Sequence, residues 1–356
     1  MVTALTATEI SMLQDKMLIE YTPTIDGEPR MKATRHADSV LSLCDVVNLV
    51  QEIADSKGDL CTATTFGGFR KHFIQHTGLS KALATSLRSV GGLSKLKSEF
   101  ELHPYVDLML EINERFLLNP GCLLLGKVVG SCVDEYVAQL NSVVDVIRSS
   151  VKSKELIQKV KNYQRLAIKN YESARLYVKS LFRKHAKVMV VRVDLSYGQD
   201  ANVDIETVQK DRERLFANAK KNQLFKEMVG FIWKMEYGIL KGFHHHVILF
   251  FDGSKVREDV TYAKMIGEYW KSSITKGKGL YYNCNAVKST YVKCGIGLFT
   301  YRDNDKMQGL DEAVRYLTLT DKFIKIKMNG IRRTFGKGQV KERPVKRGRP
   351  RIVNVF

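Results

Sequence analysis

The sequence lacks long apolar runs, paired cysteines and any recognisable export signal. No stretch approaches the ~18 consecutive apolar residues that a membrane-spanning helix requires. The first residues, MVTALTATEISMLQDK, have neither a basic start nor an apolar core, so we expect no signal peptide. The six cysteines include no C-x-x-C pair and no zinc-finger spacing. We therefore expect a cytoplasmic protein with reduced thiols and no membrane partner.

Acidic residues are scarce relative to basic ones. Lys and Arg number 57 against 38 Asp and Glu, which gives a formal net charge of +19 and a pI near 9.5. A surplus of this size predicts a polyanionic partner, most often a nucleic acid and less often an anionic membrane surface. At 356 residues the chain can hold two or three domains, each with its own core.

The pattern of apolar residues divides the chain into four regions. Residues 1–150 show helical spacing, as in SVLSLCDVVNLVQEIADSKG, and carry no motif of known chemistry. A targeting, oligomerisation or DNA-binding module would suit them equally well. Residues 151–187 predict a long basic helix or linker, whose Lys and Arg either lie along phosphates or form an ordinary solvated face. Residues 339–356 are a basic tail with little to bury, which we expect to be flexible.

The remaining region, residues 188–338, combines strand and helix periodicities. VMVVRVDLSY alternates as a strand, a helical segment follows, and GFIWKMEYGI and FHHHVILFF are strand-like runs around the turn residues LKG. A helix, a strand and the segment DEAVRYLTLTDKF complete the series. We predict an α+β fold in which a central antiparallel sheet carries a His-x-His strand with flanking helices, preceded by a mainly helical N-terminal region.

Three of the eight histidines are consecutive, in GFHHHVILFF. Because successive side chains of a strand point to opposite faces, His244 and His246 share one face and His245 faces away. Glu236 joins that face if an odd-numbered loop connects the two strands, whereas a two-residue loop would place it beside His245. Two imidazoles and one carboxylate suit Mg or Mn as well as tighter-binding metals. The alternative is a half-buried strand whose histidines hydrogen-bond locally.

Four stretches of the sequence form a pattern in a fixed order: VVRVDLSY, WKMEYGILKGFHHHVILFF, VRYLTLTDKF and RRTFGKG. Together they resemble the HUH endonucleases, which include rolling-circle initiators, relaxases and single-strand transposases. The resemblance covers roughly residues 180–338 and is closest to inovirus-type replication proteins with the YagK/YfjJ C-terminal domain. Two positions depart from that family. His245 stands where an apolar residue is usual, and Leu319 stands where a lysine usually follows the tyrosine by three residues.

The resemblance implies phosphoryl transfer to a tyrosine. His244, His246 and Glu236 would hold Mg or Mn, which would polarise an oxygen of the scissile phosphate. The hydroxyl of Tyr316 would attack phosphorus and leave a 5′-phosphotyrosine and a free 3′-OH. In place of the usual lysine, either Lys322 or the metal itself would stabilise the phenolate.

By this resemblance the protein nicks and joins single-stranded DNA, and so initiates rolling-circle replication of a phage, satellite or plasmid in a bacterial cytoplasm. The implied partners are single-stranded DNA, duplex or hairpin DNA of the origin, and a host helicase and polymerase. The alternatives are a relaxase or transposase with the same chemistry, and a non-catalytic DNA-binding regulator that retains the fold. Tyr301, in the loop-like stretch LFTYRDNDK, is a second candidate nucleophile. The oligomeric state stays open.

The basic tail contains KRGRPR, which has the core of an AT-hook. Two arginines that flank a glycine can enter a narrow A·T minor groove, because the amino group of guanine is absent there. A generic basic tail is the alternative. The residues that we expect to bind nucleic acid are Arg192, Arg332, Arg333, Lys346, Arg347, Arg349 and Arg351.

Overall fold

The described part of the chain, in this computed structural model, comprises residues 19–23, 29–33, 37–65, 72–116, 132–238, 242–327 and 329–339. The AT-hook-like stretch, with Lys346, Arg347, Arg349 and Arg351, lies outside these residues. The chain divides into two compact units. The first consists of Met1–Leu18, Arg35–Leu166 and Asp321–Lys327, and the second of Ile19–Thr34, Ala167–Thr320 and Met328–Phe356.

The helices and strands follow one another in a mixed order. In the first part of the chain they are β1 (Ile19–Pro23), β2 (Pro29–Ala33), α1 (Ala37–Asp55), β3 (Cys61–Thr65), β4 (His72–His76), α2 (Gly78–Ser89), β5 (Phe100–Leu102), α3 (Pro104–Phe116), α4 (Cys132–Lys152) and α5 (Lys154–Lys184). In the second part they are β6 (Lys187–Tyr197), α6 (Ile205–Asn218), β7 (Met228–Gly238), β8 (Gly242–Asp252), α7 (Asp259–Tyr269), β9 (Gly279–Asn283), β10 (Gly297–Thr300), α8 (Asn304–Leu319), β11 (Ile324–Ile326) and β12 (Phe335–Lys337).

The first unit is mainly helical, and this confirms the prediction of a helical N-terminal region. Apolar side chains at three-to-four spacing form the buried face of its helices, as Val46, Val50 and Ile53 do in α1. Short antiparallel strand pairs accompany the helices: β3 pairs with β4, and β5 pairs with β11. None of the described helices in the chain is long and apolar enough to cross a membrane.

A six-stranded sheet forms the centre of the second unit. Its strand order is β10-β6-β8-β7-β12, and β9 also pairs with β6. Every pairing in the sheet is antiparallel, so the predicted α+β fold with an antiparallel sheet is confirmed. The β-branched run VMVVRV in β6 suits this central position, since both faces of the strand are covered. The three histidines lie in β8, which pairs with β6 on one side and β7 on the other.

Helices cover both faces of the sheet. Side chains of α5 and α8, among them Phe182 and Leu310, pack on the face that carries Val190, Ile248 and Phe250. On the opposite face, α6 and α7 pack against the other side chains of the same strands, which include Val191, Trp233 and Leu249. Alternate side chains along β6, β7 and β8 therefore point into two separate hydrophobic cores, one on each face of the sheet.

Helix α5 occupies the region predicted as a long basic helix or linker. Two of its tyrosines are buried: the hydroxyl of Tyr163 donates to the carbonyl of Glu101 at 2.8 Å, and the hydroxyl of Tyr177 accepts from the backbone N–H of Phe231 at 3.2 Å. Both tyrosine rings are therefore buried, as residues on the apolar face of an amphipathic helix are.

Candidate metal and nucleophile site

The hairpin of β7 and β8 brings the carboxylate to the histidines. Gly238 pairs with Gly242, so three residues separate the paired ends, and Glu236 stands directly opposite His244. Paired residues of antiparallel strands share a face. Since His246 lies two residues beyond His244, all three side chains are on one face of the sheet.

The three side chains meet at one carboxylate oxygen. The Oε2 atom of Glu236 lies 3.7 Å from Nε2 of His244 and 3.3 Å from Nε2 of His246. One ligand atom from each of the three residues lies within 4.8 Å of the others, and all three residues are buried. This group could hold a metal ion. Among the described residues, it is the one cluster of His, Cys, Asp or Glu with that property.

The other nitrogen of each imidazole faces an acceptor. The Nδ1 atom of His244 donates to the carbonyl oxygen of Gly242 at 3.2 Å, and Nδ1 of His246 lies 2.8 Å from Oδ1 of Asp194. A carbonyl and a carboxylate can only accept, so the proton of each ring is on Nδ1. The Nε2 atoms of both rings then face the carboxylate of Glu236, where either a proton or a metal ion would satisfy them. The donor set of two nitrogens and one oxygen therefore fits a divalent metal ion.

The charge on His246 follows the same geometry. Burial lowers the pKa of its imidazole, but the carboxylates of Asp194 and Glu236 outweigh burial and raise the pKa above its ordinary value of 6.5. The position thus favours positive charge, which either a proton on the ring or a metal ion at Nε2 supplies.

Two charged residues that the motif analysis did not assign belong to this site. Asp194 of β6 and Lys234 of β7 are the cross-strand neighbours of His246, one on each side, so both share its face. Lys234 is only 2% exposed. A sequence signal existed in β6, because Arg192 and Asp194 interrupt an apolar run at a spacing of two. In β7, Lys234 and Glu236 are likewise two charged residues that lie two positions apart in a largely apolar strand.

The acidic and basic side chains that these strands place on the histidine face are equal in number. Asp194 and Glu236 contribute two carboxylates, and Arg192 and Lys234 contribute two cations, all on one face of the sheet. A divalent ion bound at the histidines would leave a net positive site. Such a site suits an anionic ligand such as a phosphodiester.

Tyr316 of α8 lies against the metal-binding group. Its ring centre is 5.3 Å from that of His246, in an edge-to-face arrangement, and the guanidinium carbon of Arg192 lies 5.2 Å from the ring centre. The tyrosine is half-buried at the edge of the core formed with α5. The other candidate, Tyr301, lies just after β10, where the side chain of Arg302 covers its ring and donates to its hydroxyl at 3.3 Å. Of the two tyrosines, Tyr316 is the one whose observed contacts include a histidine of the cluster.

Lys322 and Leu319 lie at the end of the α8 segment. Leu319 is buried as the last residue of α8. Lys322 ends a short 3-10 helix, and its ammonium lies 5.4 Å from the ring centre of Phe323. It belongs to the first compact unit, where Lys322 and Lys325 also lower the pKa of the buried His103. The structure thus brings Tyr316 to the histidines and assigns Lys322 to a different unit.

The arginines expected to bind nucleic acid differ in exposure. The side chain of Arg192 is 15% exposed and lies beneath Tyr316. Arg332 and Arg333 are exposed. The backbone N–H of Arg332 donates to Gln209 at 3.1 Å, and this contact anchors their segment on α6. Of the three, only Arg332 and Arg333 present their side chains to the surface.

His245 lies on the other face of β8. Its ring sits between Trp233 and Trp270, with ring centres 6.2 Å and 6.1 Å away. Burial, together with the nearby charges of Arg212 and His244, lowers the pKa of this imidazole to about 3. The neutral form of the ring is therefore favoured among these aromatic side chains.

Comparison with known proteins gave one match. The family model of the YagK/YfjJ C-terminal domain matches residues 150–338, which is more than half of the chain. This range contains β6, the β7–β8 hairpin and α8, and so every residue of the candidate site. No curated protein and no solved structure is significantly similar to the chain.

Proposed function

The chain belongs to the YagK/YfjJ C-terminal domain family, and from this premise we propose that it is an endonuclease and strand transferase of the HUH type. In this proposal it nicks and rejoins single-stranded DNA through a 5′-phosphotyrosine, and so initiates rolling-circle replication of a phage, satellite or plasmid. The observation that carries the proposal is the contact between the ring of Tyr316 and His246, a member of the buried His-His-Glu group.

His244, His246 and Glu236 would hold the divalent cation, Mg or Mn. When bound, this ion supplies a positive charge that polarises the scissile phosphate and lowers the cost of the charge that develops there. The residues around it have defined tasks. Asp194 and the carbonyl of Gly242 hold the two imidazoles with Nε2 toward Glu236, and Lys234 places a buried basic side chain on the face of His246.

Tyr316 would act as the nucleophile. Its Oη forms a bond to phosphorus as the bond from phosphorus to the 3′-oxygen breaks, the phenolic proton passes to water, and the departing 3′-oxygen takes up a proton. One phosphodiester is exchanged for another, so no external energy source is needed. A free 3′-OH can reverse the step and rejoin or circularise the strand.

The substrates proposed are single-stranded DNA at the site and duplex or hairpin DNA of the origin. The net charge of +19 supports a polyanionic partner. Exposed Arg332 and Arg333, together with Lys346, Arg347, Arg349 and Arg351 of the tail, are proposed to neutralise phosphates, while a host helicase and polymerase would extend the free 3′ end. A bacterial cytoplasm is the proposed location.

A non-catalytic DNA-binding regulator is the second candidate. The observation in its favour is the buried Leu319, at the position where the family usually has a lysine three residues after the tyrosine. A relaxase or transposase would use the same residues and the same chemistry, so the nature of the DNA substrate separates these from a replication initiator.

Denaturing electrophoresis tests the chemistry directly. Wild type, Tyr316→Phe and Tyr301→Phe are incubated with labelled single-stranded oligonucleotides and Mn. We expect a covalent protein–DNA band in wild type and Tyr301→Phe, and none in Tyr316→Phe, which keeps the ring and loses one oxygen. A band that persists in Tyr316→Phe and disappears in Tyr301→Phe would transfer the role to Tyr301. Absence of a band in wild type with a range of origin-derived strands would favour the regulator.

A further inference from the structure

One cation of the site lies directly on the candidate nucleophile. The guanidinium of Arg192 covers the ring of Tyr316 at 5.2 Å, and the arginine side chain is mostly shielded from solvent. Because the side chain is shielded from solvent, it is poorly placed to bind nucleic acid at the protein surface, which is the role expected from its basic character. It is well placed to act on the tyrosine, since a cation over an aromatic face is attracted to it.

The position of Arg192 is fixed from two sides. Its backbone N–H donates to Oδ1 of the fully buried Asn285 at 2.8 Å, and the Nδ2 atom of the same amide donates to the carbonyl of Val190 at 3.1 Å. This amide fills the stretch of β6 between the residues that pair with β10 and those that pair with β9. On the side-chain end, Nε of Arg192 lies 3.5 Å from Oδ1 of Asp194. Both ends of the residue are therefore held, as precise placement of a charge requires.

Asp194 connects the arginine to the metal-binding group. Its Oδ1 atom is shared between Nε of Arg192 and Nδ1 of His246. The ring of Tyr316 contacts both of these partners, with its centre 5.2 Å from the guanidinium carbon and 5.3 Å from the centre of the imidazole. Four side chains from two strands and one helix therefore contact one another in a ring: Arg192, Asp194, His246 and Tyr316.

We propose that Arg192 is the positioning residue for Tyr316: it holds the ring beside His246 and offsets the negative charge that builds up as the tyrosine oxygen bonds to phosphorus. The inference rests on the proposed function. It assigns the assisting positive charge to the sheet, because position 319 after the tyrosine is a buried leucine and the guanidinium of Arg192 lies over the tyrosine ring. The reacting bonds are those of the tyrosine transfer, with Oη–P formed and P–O3′ broken.

Single-turnover kinetics on the full chain separate positioning from packing. With Mn and saturating single-stranded DNA, we expect Arg192→Gln to slow covalent adduct formation by ~100-fold or more, as loss of one charge-stabilising group typically does. DNA affinity, measured by fluorescence anisotropy, should stay within a few-fold of wild type. Arg192→Lys keeps the positive charge and loses the planar guanidinium, so its rate should lie between those of wild type and Arg192→Gln.

Arg212 offers a matched control on the other face of the sheet. It is a buried arginine whose guanidinium stacks on Trp233 at 4.2 Å, and it has no place in the chemistry. Arg212→Gln removes a comparable stack, so we expect a lower melting temperature with an adduct rate within about twofold of wild type. An unchanged rate in Arg192→Gln would overturn the proposal. Equal losses of rate in Arg192→Gln, Arg192→Lys and Arg212→Gln, in proportion to stability, would also overturn it.

A spectroscopic measurement tests the placement without catalysis. With 3-fluorotyrosine at position 316, the ¹⁹F signal should shift or broaden in Arg192→Gln and stay unchanged in Arg212→Gln. An unchanged signal in Arg192→Gln would show that the arginine does not hold the ring. If wild type forms no adduct with any strand, the proposed function fails and the charge-offsetting role fails with it. The fluorine signal then decides the positioning of Tyr316 alone.

Discussion

The two faces of strand β8 carry the same residue type in opposite settings. His244, His245 and His246 are all buried, with exposed fractions of 4%, 1% and 3%. On one face, His244 and His246 direct Nε2 toward Glu236. On the other, His245 lies between Trp233 and Trp270. Burial is common to the three, so burial does not identify the metal ligands.

The partners of each ring make the difference. Carboxylates beside His246 outweigh burial and raise its pKa, whereas burial and the charge of Arg212 lower the pKa of His245 to about 3. His244 and His246 are suited to bind a metal ion because acceptors face Nδ1 of each ring and a carboxylate faces each Nε2. Mutations on the two faces should therefore have different effects, and the following predictions are ordered by the size of those effects.

The largest effect is expected from the histidines that face Glu236. His244→Ala or His246→Ala removes one of three candidate ligands, so Mn binding measured by calorimetry and covalent adduct formation should both fall below detection. His245→Ala is the control from the opposite face, and it should retain Mn affinity although it leaves a cavity beside two tryptophans. Metal-stimulated cleavage that survives the double replacement of His244 and His246 would contradict the assignment of the site.

Glu236→Gln should have the next largest effect. The amide keeps the volume of the side chain and removes the negative charge that faces both Nε2 atoms, so we expect Mn affinity to fall ~10–100-fold. Glu227→Gln is a matched control, because Glu227 pairs with Lys255 at 2.7 Å, away from the histidines. Wild-type Mn affinity in Glu236→Gln would exclude the carboxylate from the ligand set.

Asp194→Asn should have a smaller effect on the same measurement. Asp194 acts on the metal through His246, and the amide oxygen can still accept from Nδ1, so we expect a loss of Mn affinity of ~10-fold. Asp211→Asn is the control, since Asp211 is a buried carboxylate that accepts from the hydroxyl of Tyr197 at 3.2 Å on the opposite face. If the two variants lose affinity equally, Asp194 has no specific role.

Sequence periodicity predicted this site only in part. The period of two in FHHHV, together with an odd-numbered connection, was enough to bring Glu236, His244 and His246 together, because hairpin strands are neighbours in sequence and in space. The role of Asp194 could not be predicted in the same way. It depends on β6 lying next to β8, although a helix and a strand separate them in sequence.

Lys322 shows the opposite difficulty. It is six positions after Tyr316, and the choice of this lysine rests on sequence spacing alone. The chain leaves α8 at Leu319, passes through a 3-10 turn and enters the first compact unit, whose strand β11 pairs with β5. Arg192, more than a hundred positions away, is the cation that contacts the tyrosine. The periodicity of apolar residues does not reveal where such a helix ends or where the chain passes from one compact unit to the other.

A buried histidine of the first compact unit gives a pH-dependent prediction. His103 accepts from the backbone N–H of Tyr105 at 3.1 Å, and burial, with Lys322 and Lys325 nearby, lowers its pKa from 6.5 to about 3. As pH falls below 6.5, His103 is protonated in the unfolded chain before it is protonated in the folded chain. The stability present at neutral pH is therefore lost between pH 6.5 and pH 3. At pH 5 the loss amounts to about 2 kcal/mol.

Urea unfolding at pH 7 and pH 5 checks this contribution. His103→Gln keeps a side chain able to accept from Tyr105 and does not titrate, so the drop in unfolding free energy between the two pH values should be smaller than in wild type. Equal drops in wild type and variant would show that His103 does not carry the proposed acid sensitivity.

The smallest effect is expected from His245→Leu. The ring of His245 contacts Trp233 and Trp270, and the backbone of Val208 hydrogen-bonds to it. Leucine has a similar volume and no polar atoms to desolvate but loses the hydrogen bond to Val208, so the unfolding free energy at pH 7 should change by less than about 1 kcal/mol. Mn affinity and the rate of adduct formation should stay within about twofold of wild type, because His244 and His246 keep their partners on the opposite face. A loss of Mn affinity comparable to that of Glu236→Gln would mean that the two faces of β8 do not act independently, and the distinction between them would then have to be abandoned.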